Sequence, residues 1–186
     1  MRDKCILPFL ITERLEFFQL TQADLPELEI LLGDTEIMYA WEHGFTKIES
    51  QAWLNENLRR YSSDGYSYWA VRKKNDGSLI GVMGILKEVA EGKQYIGIGY
   101  ILNKKYWGQG YAGEGTEALC QYAFRKLQLQ TLTAQVRTNN FASQHIAEGL
   151  GMKAMCNFVK IYRGQEMPHF LYTLDRDKWL KTASNG

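Results

Sequence analysis

The chain has 186 residues, 45% of them hydrophobic, which is enough to bury a sizeable core in a single domain spanning 1–186. Its 22 basic and 21 acidic residues leave a formal charge of +1, so there is no electrostatic footprint for nucleic acid. Neither the cysteines (Cys5, Cys120, Cys156) nor the histidines (His43, His145, His169) show metal-ligand spacing, and the thiols read as reduced in a cytoplasmic protein without a metal site.

In chain order, the apolar residues 5–11 are too few to span a bilayer, lack a small-residue cleavage pattern and run into Thr12-Glu13-Arg14, so neither a signal peptide nor a membrane partner is expected. Leu15 and Phe17 alternate with Glu16 and Phe18 in a first strand, and residues 21–33 carry Leu25, Leu28, Leu31 and Leu32 at helical spacing. Thr46 with Glu49 predicts a capping box ahead of a second helix bearing Ile48, Trp53, Leu54, Leu58 and Tyr61 and ending near Ser62. Strands at 68–72 and 78–86 flank the turn Asn75-Asp76-Gly77, and 95–102 forms another. Residues 113–127 present Leu119, Cys120, Ala123, Phe124 and Leu127 as one helical stripe. A strand at 131–137, a short helix at 140–150 closed by Gly151 and two strands joined around Arg163-Gly164 complete the chain. The expected fold is a mixed α/β (α+β) sheet, mostly antiparallel and flanked by helices, with antiparallel strands first and a β-α-β-α-β run after.

The run Tyr106-Trp107-Gly108-Gln109-Gly110-Tyr111-Ala112-Gly113-Glu114 lies between a strand and a helix, and glycines at that spacing present backbone N–H groups to an anion. A Walker loop needs Lys and Ser or Thr after its last glycine, but Glu114 and Gly115 stand there. A dinucleotide fingerprint should follow its strand directly and have an acidic residue about 20 positions on. Here residues 103–107 intervene, Arg137 ends the next strand, and too little chain remains for a second half-sheet. The third reading is an acyl-CoA pyrophosphate site at the loop and the first helical turn.

At these residues the chain resembles the GNAT superfamily of N-acetyltransferases. The family's loop pattern falls on Trp107, Gly110 and Ala112, and Tyr-Trp-Gly-x-Gly-Tyr-Ala is similar to the branch that acetylates the N-termini of ribosomal proteins. Gly99-Tyr100-Ile101-Leu102, Tyr122-Ala123-Phe124, Asn140-Phe141-Ala142-Ser143 and Gly149-Leu150-Gly151-Met152 match in order, and the likeness covers roughly residues 12–180. The resemblance implies acetyl-CoA (CoA) bound by Gln109, Gly110, Tyr111, Ala112 and Gly113, with its arm beside the backbone of Ile101 and Leu102. It also implies that this strand splays from 131–137, where a backbone N–H could bond the thioester oxygen. Asn140 is a helix cap, a contact to the arm, or both, and Ser143 is the candidate acid for the departing thiolate or a cap partner.

Glu114 reads as a residue that orders the loop and complements the helix dipole. Many related chains carry Glu two residues before the Gly-Tyr of the central strand, but this chain has Gly97. A lysine amine of pKa about 10.4 costs roughly 4 kcal/mol to neutralise near pH 7.5, and an α-amine of about 7.8 under about 1. The expected acceptor is therefore a peptide N-terminal α-amine, against a small-molecule amine such as a polyamine or antibiotic, or a non-catalytic acyl-CoA-binding module. Glu42, His43 and Tyr162 could line its pocket, and Tyr39, Trp41, Tyr66, Tyr68 and Trp69 are core or pocket wall. The exposed C-terminal hairpin could pair two chains as a homodimer.

Overall fold

The structure is a computed structural model and describes residues 7–183. Cys5 and the start of the apolar stretch at 5–11 lie outside the described residues. Among the described residues eight strands, β1 (Leu10–Ile11), β2 (Leu15–Gln19), β3 (Tyr68–Lys73), β4 (Leu79–Ala90), β5 (Lys93–Leu102), β6 (Thr131–Arg137), β7 (Lys153–Tyr162) and β8 (Gln165–Asp175), form one sheet in the order β1-β2-β3-β4-β5-β6-β8-β7. The chain divides into two compact units, one holding residues up to Gly84 with Tyr100–Gly115, the other Ile85–Gly99 with the chain from Thr116.

In the first unit, β1 (Leu10–Ile11) pairs antiparallel with β2 (Leu15–Gln19), and β2 with β3 (Tyr68–Lys73). Period-two alternation buries Leu15 and Phe17 completely. The apolar stretch at 21–33 is not one helix. A 3₁₀ turn at Gln22–Asp24 precedes α1 (Leu25–Gly33), because Pro26 has no N–H to donate and is tolerated only in a first turn. The capping box starts α2 (Lys47–Ser63) as expected, with the Glu49 N–H donating to Thr46 Oγ1 at 3.2 Å and the Thr46 N–H to Glu49 Oε2 at 2.8 Å. Ile48 leaves the expected stripe and is 83% exposed. The inward face of α2 is phased on Ser50, Leu54 and Asn57, and two residues on a helix is more than half a turn.

Gly77, at φ +70°, turns β3 into β4 (Leu79–Ala90). Past the expected end at 86, β4 runs on to a two-residue turn in which Glu91 and Gly92 both have positive φ, the geometry that matches the twist of a hairpin, and β5 (Lys93–Leu102) follows. In the second unit β5 meets β6 (Thr131–Arg137) in parallel at Gly97 and Thr133. Beyond it, β6, β8 (Gln165–Asp175) and β7 (Lys153–Tyr162) pair antiparallel, with Arg163 and Gly164 at positive φ in the last turn.

The helix α3 (Tyr111–Arg125) starts two residues before the stripe suggested. Leu119, Cys120, Ala123 and Phe124 are fully buried, while Leu127 falls past the helix end and is half-buried. Asn140 caps α4 (Phe141–Gly149). A last helix, α5 (Arg176–Ala183), was not expected. Its Trp179 packs 5.5 Å from the Phe124 ring, and the Arg176 guanidinium donates to Phe124 O at 3.0 Å.

Candidate active site

In the first unit, a 3₁₀ turn at Lys104–Tyr106 follows β5. The Trp107 indole then donates back to Leu102 O at 2.9 Å, tying the loop to the strand end. Gly108 and Gly110 have φ of +69° and +80°, which L side chains rarely adopt, and all of Gly108, Gln109 and Gly110 are exposed. The Glu114 N–H donates to Gly110 O at 3.1 Å, and α3 begins at once. The first N–H groups of a helix have no partner within it and carry the positive end of its dipole. Side chains added at Gly108 or Gly113 would meet nothing within 4 Å, so neither glycine is needed for packing, and both leave open space at the helix mouth. Gly115 is different: a Cβ there would come within 2.2 Å of Met83 Sδ and 3.3 Å of Phe17, so its absence lets the helix start lie on the sheet.

The residues that hold this loop were only partly foreseen. Glu114 accepts from the Thr12 hydroxyl at 2.5 Å, the Arg14 N–H at 2.9 Å and Arg14 Nε at 2.5 Å. Burial pushes its pKa up, but these hydrogen bonds and the Arg14 charge outweigh it and leave the carboxyl below its ordinary range. Arg14 also donates to Gln109 O at 3.0 Å, lies 4.3 Å from the Tyr111 ring centre, and brings Nη2 to 3.3 Å from where a Gly110 Cβ would stand. Thr12 and Arg14 gave no signal in the sequence, being about a hundred residues from Glu114. The Gln109 amide donates to Lys105 O at 2.9 Å, so its side chain closes the loop. Ile101 and Leu102 are buried, and a Cβ on Gly81 would stand 2.2 Å from Ile101 O, so their side chains fill the core against a close neighbouring backbone.

In the second unit the structure brings Asn140 and Ser143 together: Asn140 Oδ1 accepts the Ser143 N–H at 3.0 Å, and Ser143 is half-buried in the first turn of α4. Tyr162 ends β7 in this unit. Glu42 and His43 belong to the first, where His43 Nδ1 lies 3.0 Å from Trp41 O and Nε2 3.0 Å from Glu49 Oε1. Glu49 is held down to about 2 by the Thr46 N–H, then by His43 and the Thr46 hydroxyl. His43 is thus engaged at the start of α2. Tyr66, Tyr68 and Trp69 are core residues, whereas Tyr39 is exposed and Trp41 half-exposed. Burial, with the charge of Glu117, pushes the Cys120 thiol up to about 12, which removes it as a nucleophile.

A family model of the acetyltransferase (GNAT) domain matches residues 14–153. The chain belongs to the GNAT acetyltransferase family. It is 30% identical over 164 residues to the uncharacterized protein YkkB of Bacillus subtilis (strain 168), covering 88% of this chain and 93% of that one. A GNAT-family acetyltransferase from Bacillus anthracis shares the fold with TM-score 0.78 and 22% identity, over 90% of this chain and 98% of the other. Two structures from Vibrio cholerae share it too, each over 91% of this GNAT chain and 99% of their own. One is a proposed ribosomal-protein-serine acetyltransferase (TM-score 0.74, 20% identity), the other a spermidine N-acetyltransferase in complex with CoA and spermine (TM-score 0.74, 18% identity). The acyl donor of this GNAT enzyme is acetyl-CoA. The helix mouth fits its pyrophosphate, offering open space over Gly108 and Gly113 and, beside Gly110 and Tyr111, the Arg14 guanidinium, which is ion-paired with Glu114. Among the described residues no helix is long and apolar enough to cross a membrane, and no three His, Cys, Asp or Glu side chains gather as a metal site.

Proposed function

We propose that the enzyme acetylates a peptide N-terminal α-amine, and the observation that supports this is Gly97. The central-strand position at which many related chains carry Glu has no side chain here. A proton acceptor must therefore act from another strand or through water, and the amine that needs least help is one already near neutrality. An α-amine at about 7.8 meets that condition, and a lysine side chain at about 10.4 does not. The loop's likeness to the ribosomal-protein branch agrees with it.

Bound acetyl-CoA supplies an activated acyl thioester. In this reading the backbone N–H groups of residues 109–113 hold its pyrophosphate, Arg14 adds a positive charge, and the backbones of Ile101 and Leu102 and the Asn140 side chain bind the arm. Leu102 O is already engaged by Trp107, so the arm meets other backbone groups of this strand. Ser143 protonates the departing sulfur, its backbone held in place by Asn140. The same reading keeps 1–186 as one acetyltransferase domain in the cytoplasm. Two copies pair through the edge strand β7, where Met155, Val159 and Ile161 are exposed.

Thiol release measured with N-terminal peptides, lysine peptides, polyamines and aminoglycosides tests this. N-terminal peptides should show the highest kcat/KM. A preference for polyamines or lysine side chains would overturn the acceptor, and saturable acetyl-CoA binding without thiol release on any amine would overturn the transfer itself.

A further inference from the structure

Gly97 does more than lack a side chain. A Cβ built there would stand 2.3 Å from Oε2 and 3.2 Å from the carboxyl carbon of Glu88 on β4, and 3.3 Å from Oγ1 of Thr133 on β6. The first distance is one that no real Cβ tolerates. The space that a side chain at position 97 would enter is thus filled by a carboxylate from the neighbouring strand. Glu88 Oε2 is out of solvent, although the residue as a whole is half-buried. The Thr133 hydroxyl donates to Ile96 O at 3.2 Å, which fixes the other wall of the gap.

A second observation lies two residues further along β6. Gln135, on the same strand face as Thr133, has both amide atoms buried, and among the described residues neither makes a hydrogen bond. Buried amides are ordinarily paired, so one left open on the Thr133 face of β6 points to a polar ligand there.

We propose that Glu88 is the general base of the acetyl transfer, delivering from β4 the carboxylate that position 97 lacks, and that residue 97 is glycine so as to admit it. The proposal rests on the acetyl-transfer reading but not on which amine is the acceptor: a base at Glu88 serves any amine, so it withdraws the support that Gly97 lends to an α-amine and leaves the loop's likeness to the ribosomal-protein branch to carry it. The acceptor arrives as an ammonium ion. Glu88 takes one N–H proton, and the freed lone pair forms the C–N bond as the C–S bond breaks. A second nitrogen proton passes to the sulfur by way of Ser143, and Glu88 returns its own to water. Ammonium and thioester become amide, thiol and one released proton.

The test uses Glu88→Gln, which keeps shape and removes basicity, and Gly97→Ala, whose Cβ displaces the flexible end of Glu88 while leaving Glu88 in the chain. Acetyl-CoA affinity should be unchanged in both. At pH 6.5, kcat/KM for the acceptor should fall about 100-fold or more in Glu88→Gln, the usual size of a lost general base. That deficit should shrink as pH passes the acceptor's own pKa, about 7.8 for an α-amine, because the amine then arrives neutral. Gly97→Ala should reproduce the same pH-dependent deficit. Without acetyl-CoA, the ¹³C resonance of the Glu88 carboxyl should move between wild type and Gly97→Ala. No deficit, or one equal at every pH, would overturn the base while leaving the transfer standing, as would an unmoved carboxyl resonance. A wild-type enzyme that releases no thiol with any amine would overturn both.

Discussion

Arg14 touches the glycine-rich loop and the helix after it in three ways: through the Gln109 carbonyl, the Tyr111 ring and the Glu114 carboxylate. With 42% of its side chain exposed, the ion pair contributes little stability on its own, on the order of 1 kcal/mol or less. Its larger effect is on the order of the loop and the charge at its mouth. Arg14→Ala should weaken acetyl-CoA binding about tenfold by calorimetry, a loss of about 1.4 kcal/mol, while unfolding changes little. Arg14→Lys should recover only part of that, since an ammonium lacks the fork that reaches Gln109 and Glu114 together. The loop glycines were legible because positive φ and open space leave a mark in the sequence. Arg14 was not, because its partners are remote in the chain.

At the scale of elements, α2 and α3 begin for different reasons. The start of α2 is wholly local: Thr46 and Glu49 satisfy each other's backbone N–H groups within four residues, which is why the sequence located it. Thr46→Ala should cost about 1 kcal/mol in chemical unfolding, and Thr46→Ser should cost far less. The start of α3 depends on Gly115 meeting Met83 and Phe17, residues of two strands, and so the apolar stripe placed it two residues late. Ile48 shows the same limit, since helical spacing gave a stripe while only the packed structure chose its phase. Pro26, by contrast, divides its segment by covalent geometry, which composition alone could have shown.

For the whole molecule, His169 links folding to pH. It is buried, its Nδ1 lies 2.7 Å from Met167 O, and its ring packs 5.4 Å from that of Phe158. Burial lowers its pKa; the Met167 carbonyl opposes this, and the charges of Lys160 and Arg137 add to it. With the folded pKa below the unfolded value of about 6.5, the unfolded chain binds the extra proton as pH falls. The contribution is therefore complete above about pH 6.5 and is lost as pH falls through the folded pKa. Urea unfolding between pH 7.5 and 5 should show that loss, and His169→Gln should remove this part of the slope.

The sequence by itself determined the family resemblance, the glycine-rich loop between strand and helix, the α2 cap and the turns at 75–77 and 163–164, because each depends on residues within a few positions of one another. The tertiary structure alone decided that Arg14 and Thr12 hold Glu114, and that Glu88 occupies the space left by Gly97. Those contacts depend on which strands lie side by side and in what register, which the packing of the whole sheet sets and no short stretch of the chain encodes.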